Sequence, residues 1–261
     1  MAYIKSSLEL DAIHDGGKKM GEILEKLQAL IAPGVSGFDI DTEAERLIRE
    51  AGGEPAFKGY KSRKSDPPFP GTICFSLNEE VVHGIPTKQK IIQTGDLVSL
   101  DIGMKYKGCF TDTAVTVAVG KVPVRVRNLM SVTQEALEVG LEQVKIGNTV
   151  ADIGRAIEKY VRSQGKYGIV QDLVGHGVGH AVHEDPRVPN YYDKDLEQWE
   201  IVPGVVLALE PMIALGTWQV VMAKDGWSIS TADKSLSAHF EHTVAVMEKG
   251  VHVVTRRPSE V

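Results

Sequence analysis

GDLVSLD, residues 95–101, and GVVLALE, residues 204–210, follow one pattern: a glycine, an apolar run, then a carboxylate six residues on. Each run is short, apolar and turn-bounded, which suits a strand ending on an acid. The correspondence extends both ways. Upstream, GVSGFDIDTEAERLIREAG (34–52) matches GNTVADIGRAIEKYVRSQG (147–165). Both open on Gly, place Asp-Ile at the same offset (Asp39-Ile40 and Asp152-Ile153) and close on Gly. Each predicts a capped amphipathic helix, because Asp and Thr near the start can accept orphan N–H groups and a closing Gly suits the C′ position. Longer helical patterns precede them, carried by Met20, Ile23, Leu24, Leu27, Leu30 and Ile31, then by Val126, Leu129, Met130, Thr133, Leu137, Leu141 and Val144. Downstream, TDTAVTVAVG around Asp112 answers FEHTVAVMEKG around Glu241, each an alternating β-branched strand headed by an acid. The expectation is a duplicated α+β unit, roughly residues 5–120 and 121–250, with equivalent strands at the centre and helices packed outside.

Bulk properties leave this open to many functions but exclude some. The 261 residues can bury a core as one large domain or two small ones. Lys and Arg number 29 against 35 Asp and Glu, and a net charge of −6 points to neither an acidic nor a basic partner. No apolar run reaches membrane-spanning length, and MAYIKSSLEL lacks a signal-peptide core. Cys74 and Cys109 are the only cysteines, so no disulfide framework is expected and a reducing cytoplasm fits.

Four acids then become the problem to solve. Asp101 and Glu210 stand in strongly apolar strands, where an unpaired carboxylate is expensive. Any one of them alone would be read as solvent-facing or paired to a cation. Asp101, Asp112, Glu210 and Glu241 together, from the central strands of two matched halves, resist that reading. Only Lys105 and Lys107 lie near them in sequence. Clustered anions repel, and two divalent cations neutralise them most cheaply. Oxygen ligands joined by one imidazole suit Mn²⁺, Fe²⁺, Co²⁺ or Zn²⁺. Such pairs commonly lie about 3.5–4 Å apart and acidify a shared water, so metal-assisted hydrolysis is the reaction class.

GHGVGHAVHEDP (175–186) offers the imidazoles, with His176, His180 and His183 in eight positions. Histidines four apart on a helix are a zinc arrangement, but Gly177 and Gly179 disfavour a helix here. A strand or tight turn is expected, which makes His176 and His183 separate groups with separate roles. GHGVG also looks like a phosphate loop, but it has no Lys and the wrong context.

Five segments, in order along nearly the whole chain, carry a family resemblance: NEEVVHGIP (78–86), SLDIGMKYKGCFTDTA (99–114), GHGVGHAVHEDP, ALEPMI (208–213) and KDGWSISTADKSLSAHFEHTVAV (224–246). The sequence resembles the type I methionine aminopeptidases of the pita-bread metallopeptidase fold. The resemblance implies a single catalytic domain over 1–261 with a curved, antiparallel-rich central sheet. It implies Asp101, Asp112, His176, Glu210 and Glu241 as ligands of two divalent metals (Co, Mn, Fe or Zn), with Asp112 and Glu241 bridging. His176 and Glu210 would complete one site, and Asp101 would chelate the other.

It further implies His183 as the group polarising the scissile carbonyl, His83 as a contact to the amide nitrogen or next residue, and Glu210 as a proton shuttle. Tyr60, Phe69, Cys74 and Trp227 match the apolar methionine pocket by context. Departures are Phe57 where cysteine is frequent, Val182 where an aromatic is common, and a longer stretch between Tyr60 and Cys74. Val182 would leave room for bulkier residues beside the metals. His180, His14, His239, His242 and His252 receive no chemistry.

The implied activity is removal of initiator methionine from nascent polypeptides with a small second residue, by a cytoplasmic monomer without membrane contact. The basic run Lys58–Lys64 could touch ribosomal RNA, although a solvated loop is the plainer reading. Relatives that cleave before proline or degrade creatine usually carry an added N-terminal domain, for which a helical pattern from about Ser6 leaves no room. A binding protein on the same fold would be expected to lose ligands. A mononuclear iron oxygenase would need two His and one carboxylate.

Overall fold

The computed structural model describes residues 3–61, 63–64 and 66–261. Helices α1 (Ser7–Gln28) and α2 (Gly37–Glu50) precede the strands of the first half; α3 (Val124–Leu141) and α4 (Val150–Gln164) precede most strands of the second. Capping boxes start three of them, pairing Ser6 with Glu9, Ser36 with Asp39 and Thr149 with Asp152. Asp39 and Asp152 therefore act from the third helical position, while Ser36 and Thr149 hold the caps. Gly52 follows α2 with φ 82°, a conformation few residues but glycine accept. The apolar pattern overruns α1 and α3: Leu30, Ile31 and Val144 lie beyond the helix ends, and Leu30 is exposed.

The largest sheet contains β1 (Glu54–Pro55), β2 (Ile73–Leu77), β3 (Leu97–Tyr106), β4 (Cys109–Ala118), β5 (Gly175–Gly177), β6 (Glu184–Val188), β7 (Val206–Leu209), β8 (Glu241–Met247) and β9 (Gly250–Val253). Its order is β1-β3-β4-β8-β7-β5-β6, with β2 beside β3 and β9 beside β8. Every pairing is antiparallel. The β3–β4 hairpin turns through Lys107 (φ 48°) and Gly108 (φ 88°), a two-residue turn whose twist matches its strands. That turn fixes the register of both strands. The strand from the second half that meets this hairpin is β8, with Glu241 opposite Ala114 and His242 opposite Thr113.

Alternation divides each strand. Along β3, Val98, Leu100, Ile102 and Met104 are fully buried in the main core, leaving Asp101 on the other face. α1 packs on β3, β4 and β8, and α3 packs on α4, β7 and β8, so residues of both halves share one core. Gly21 permits the close approach of α1 to the C-terminal segment, since a β-carbon there would stand 2.3 Å from the Arg256 carbonyl oxygen.

Candidate metal centre

Register alone assembles the acids. Asp101 lies opposite Ala114, and Ala114 opposite Glu241, so Asp101 and Glu241 share a face across three strands. Asp112, two residues before Ala114, shares that face as well. His176 pairs with Ala208, two residues before Glu210, and Leu209 pairs with His242; continued alternation puts His176 and Glu210 beside Glu241. All five line one cavity of about 310 Å³. Asp112, His176 and Glu241 offer ligand atoms within 4.8 Å of one another.

Electrostatics in this cavity call for cations. Asp101, Asp112, His176 and Glu241 are buried, and the Glu210 side chain is 13 % exposed. Asp101 Oδ1, Asp112 Oδ1 and Glu241 Oε1 are buried without a hydrogen-bond partner among the described residues. Burial pushes the Asp101 carboxyl up to about 7. Burial and then the neighbouring carboxylates raise Asp112, Glu210 and Glu241 well above the usual carboxylate range. No Lys or Arg lines the cavity among the described residues. Lys105 lies over the Phe110 ring and Lys107 pairs with Asp15, so neither neutralises the cluster. Hard and borderline divalent cations fit this donor set: four carboxylates, orphaned oxygens and one imidazole held neutral by burial, which lowers His176 to about 3.

The histidine-rich segment forms a strand at its start and a turn after it, as the glycines suggest. His176 sits in β5, and its Nδ1 lies 2.9 Å from the Gly177 carbonyl oxygen, which leaves Nε2 for the cavity. His183, just before β6, is not remote from it: the two rings meet edge-on at 4.4 Å. The Tyr60 hydroxyl lies 2.8 Å from His183 Nδ1. His180 is turned away, with Nε2 3.1 Å from Glu9 Oε1 in the first turn of α1. Glu184, next to His183, pairs with the buried amine of Lys5, which ties the N-terminal segment to this turn.

His83 has φ 58°, an uncommon state for a residue with a side chain and one often kept where function requires it. Its ring meets Trp227 edge-on at 6.2 Å, and burial lowers its pKa to about 4. Phe57, Phe69, Cys74, Val182 and Trp227 form one apolar cluster with Tyr60 packed against it. Cys74 lies opposite Asp101 in β2, and burial followed by the nearby acids raises its pKa, so it is a neutral thiol. Asp225 accepts backbone N–H bonds from Trp227 at 2.8 Å and Ser228 at 2.9 Å, folding KDGWS into a turn that presents the indole.

Tyr60 and Phe69 stand at the neck of the long segment between them, closed by Gly59 N–H to the Phe69 carbonyl and Phe69 N–H to the Tyr60 carbonyl, both 2.8 Å. Ser62 and Ser65 of that segment lie outside the described residues. Lys58 at its base pairs with Glu45.

The structure thus brings all eleven predicted site residues to one cavity. It adds Phe57, Val82, Asp172, Leu173 and Val174, which sequence reasoning did not select. Leu173 and Val174 precede GHG closely enough that position alone could have suggested them. Val182 packs in the apolar cluster without lining the cavity. His239, read as bland, is buried with Nε2 3.7 Å from Glu210 Oε2. Its place two residues before Glu241 was the available signal.

Residues 11–248 match metallopeptidase family M24, and the chain belongs to that family. Within it, the chain is similar to methionine aminopeptidases. That of Clostridium acetobutylicum is 41% identical over 98% of this chain and 99% of its own length. Methionine aminopeptidase 1 of Bacillus subtilis is 39% identical, covering 98% of this chain and all of the relative. The crystal structure of the Thermotoga maritima methionine aminopeptidase superposes with TM-score 0.90 at 38% identity, over 97% of this chain and 99% of that one. Prolidase from Pyrococcus furiosus shares the fold at TM-score 0.76 and 22% identity, covering 97% of this chain but 65% of the prolidase. The pita-bread architecture expected from sequence is the one observed.

Proposed function

We propose that the chain removes N-terminal methionine from nascent polypeptides whose second residue is small. The observation that carries this reading is a set of buried carboxylates, without cationic partners among the described residues, beside an apolar pocket. Asp101, Asp112, His176, Glu210 and Glu241 would hold two divalent ions, drawn from Mn, Fe, Co or Zn. When bound, the ions would supply Lewis acidity and a water acidified enough to act near neutral pH.

The chain's own groups do the rest. With Tyr60 donating its hydroxyl proton to His183 Nδ1, the proton of the neutral ring would sit on Nε2. That N–H is suited to polarise the scissile carbonyl and to stabilise its developing negative charge. Glu210 is suited to carry a proton to the leaving amine, and His83 to contact the scissile amide nitrogen or the next residue. Tyr60, Phe69, Cys74 and Trp227 would enclose the methionine side chain, whose unbranched thioether suits an apolar, sulfur-and-aromatic wall. The free α-amino group would lie on the Asp101 side.

The chain is read as one catalytic unit over 1–261 with an internal repeat, acting as a monomer in the cytoplasm, where Cys74 and Cys109 stay reduced. No helix among the described residues is long and apolar enough to cross a membrane. Transient ribosome contact would fall to the basic run Lys58–Lys64. The test is a metal titration of the metal-stripped protein with hydrolysis of Met-Ala-Ser as readout, repeated on Glu210→Ala. Metal-dependent release of methionine by the parent and its loss in the variant is the expected result. A parent that binds no divalent ion, or cleaves equally without one, would overturn the reading.

A further inference from the structure

We propose that His239 is a positioning residue for Glu210, a buried imidazole that decides which carboxylate oxygen faces the cavity. The proposal rests on the metal-binding reading above. His239 ends the strand Ser237–His239 and pairs directly with Met212, two residues beyond Glu210. Thr116 holds its backbone from both sides: the His239 N–H donates to Thr116 Oγ1 and Thr116 Oγ1 donates to the His239 carbonyl, each at 2.8 Å. The side chain is 2 % exposed and does not line the cavity, so it is out of reach of substrate.

Both of its ring nitrogens are buried without a hydrogen-bond partner among the described residues. A buried polar group left unpaired is costly and uncommon. The carboxylate nearest to it is Glu210, whose two oxygens are bracketed by two different imidazoles. Oε1 lies 3.5 Å from His176 Nε2, and Oε2 lies 3.7 Å from His239 Nε2. His176 lines the cavity and His239 does not. A small turn of either side chain would let the His239 N–H donate to Oε2. Oε1 is then left to face the same space as His176, and the carboxylate no longer rotates freely. Hydrogen bonds of this kind behind a ligand typically change metal affinity 10- to 100-fold when removed. Of the alternatives, leucine fills the site but cannot donate, whereas glutamine can.

The experiment uses the full-length, metal-stripped protein and its H239Q, H239L and H239M variants. Mn²⁺ binding is followed by calorimetry, folding by thermal melting, and kcat and KM separately on Met-Ala-Ser with saturating Mn²⁺. H239L is expected to bind Mn²⁺ about tenfold or more weakly and to lower kcat with little change in KM, while H239Q stays within about threefold of the parent. H239M replaces H239L if the latter does not melt cooperatively, with the same expectation. Folded H239L or H239M binding Mn²⁺ as the parent does would overturn the proposal. So would equal weakening in H239Q, which would trace the loss to packing. If the parent itself binds no Mn²⁺, the metal reading fails first, and that failure is seen without any variant.

Discussion

The floor and the wall of the cavity are built by different means. The floor, Asp101, Asp112, His176, Glu210 and Glu241, rises from β3, β4, β5, β8 and the residue after β7, where pairing decides which way each side chain points. Most of the wall, including Phe57, Tyr60, Phe69 and Trp227, comes from segments between strands, with Cys74 and Val82 contributed by strands. A one-residue slip in register would send a floor acid into the core. A comparable shift in a loop changes only the shape of the pocket. On the proposed reading, the floor would carry the chemistry and the wall the selectivity.

The hardest blow to that contrast is Asp112→Asn. Hydrolysis of Met-Ala-Ser should fall more than about a thousandfold, the size expected when several kcal/mol of metal-derived stabilisation is lost. The metal-free variant should melt no lower than the metal-free parent, because one of several mutually repelling carboxylates has gone. A variant that stays active with metal would break the contrast outright. Next comes His183→Ala, at the border between floor and wall, with kcat down about 10²- to 10³-fold for the loss of one aimed donor. Tyr60→Phe should lower kcat less while leaving metal affinity unchanged by calorimetry.

On the wall itself, Trp227→Ala should cost about 10- to 100-fold in kcat/KM for methionine and leave Mn²⁺ binding intact. Loss of metal binding in that variant would merge wall and floor into one unit. Acidity sharpens the floor's side of the comparison. The Asp101 carboxyl titrates at about 7 in the metal-free fold against 3.8 ordinarily, so at pH 6 it holds a proton that must leave before a cation binds. Mn²⁺ affinity should rise as pH climbs from 6 to 8, by about tenfold at most per pH unit for each proton displaced. Calorimetry in buffers of different ionisation enthalpy should detect proton release near pH 7. The smallest effect expected is from Val182→Phe, about threefold, read as a lower rate on Met-Val relative to Met-Ala. Unchanged relative rates would remove Val182 from the selectivity of the wall.

Legibility followed the same division. Asp101, Asp112, Glu210 and Glu241 stood out because strand alternation is written into the sequence and acids in apolar strands contradict it. The matched offsets 34–52 and 147–165 gave α2 and α4 closely, and errors fell at helix ends, where Leu30 and Val144 continue the apolar period after the backbone has turned. Loop positions obey no such period. Leu173 and Val174 reach the cavity only through the path of the chain ahead of β5. His239 escaped because its partner Glu210 is distant in sequence and meets it only through the pairing with Met212. The relation between His176 and His183 was also out of reach, since the turn through Gly179 (φ 136°) folds the segment back on itself.

The tie between Lys5 and Glu184 joins segments 179 positions apart in the chain. Because the amine is buried, removing the carboxylate alone would strand an uncompensated charge in the interior, a costly state. The turn that carries His183 is thereby fastened to the segment ahead of α1, so damage to that remote segment is expected to be felt at the cavity.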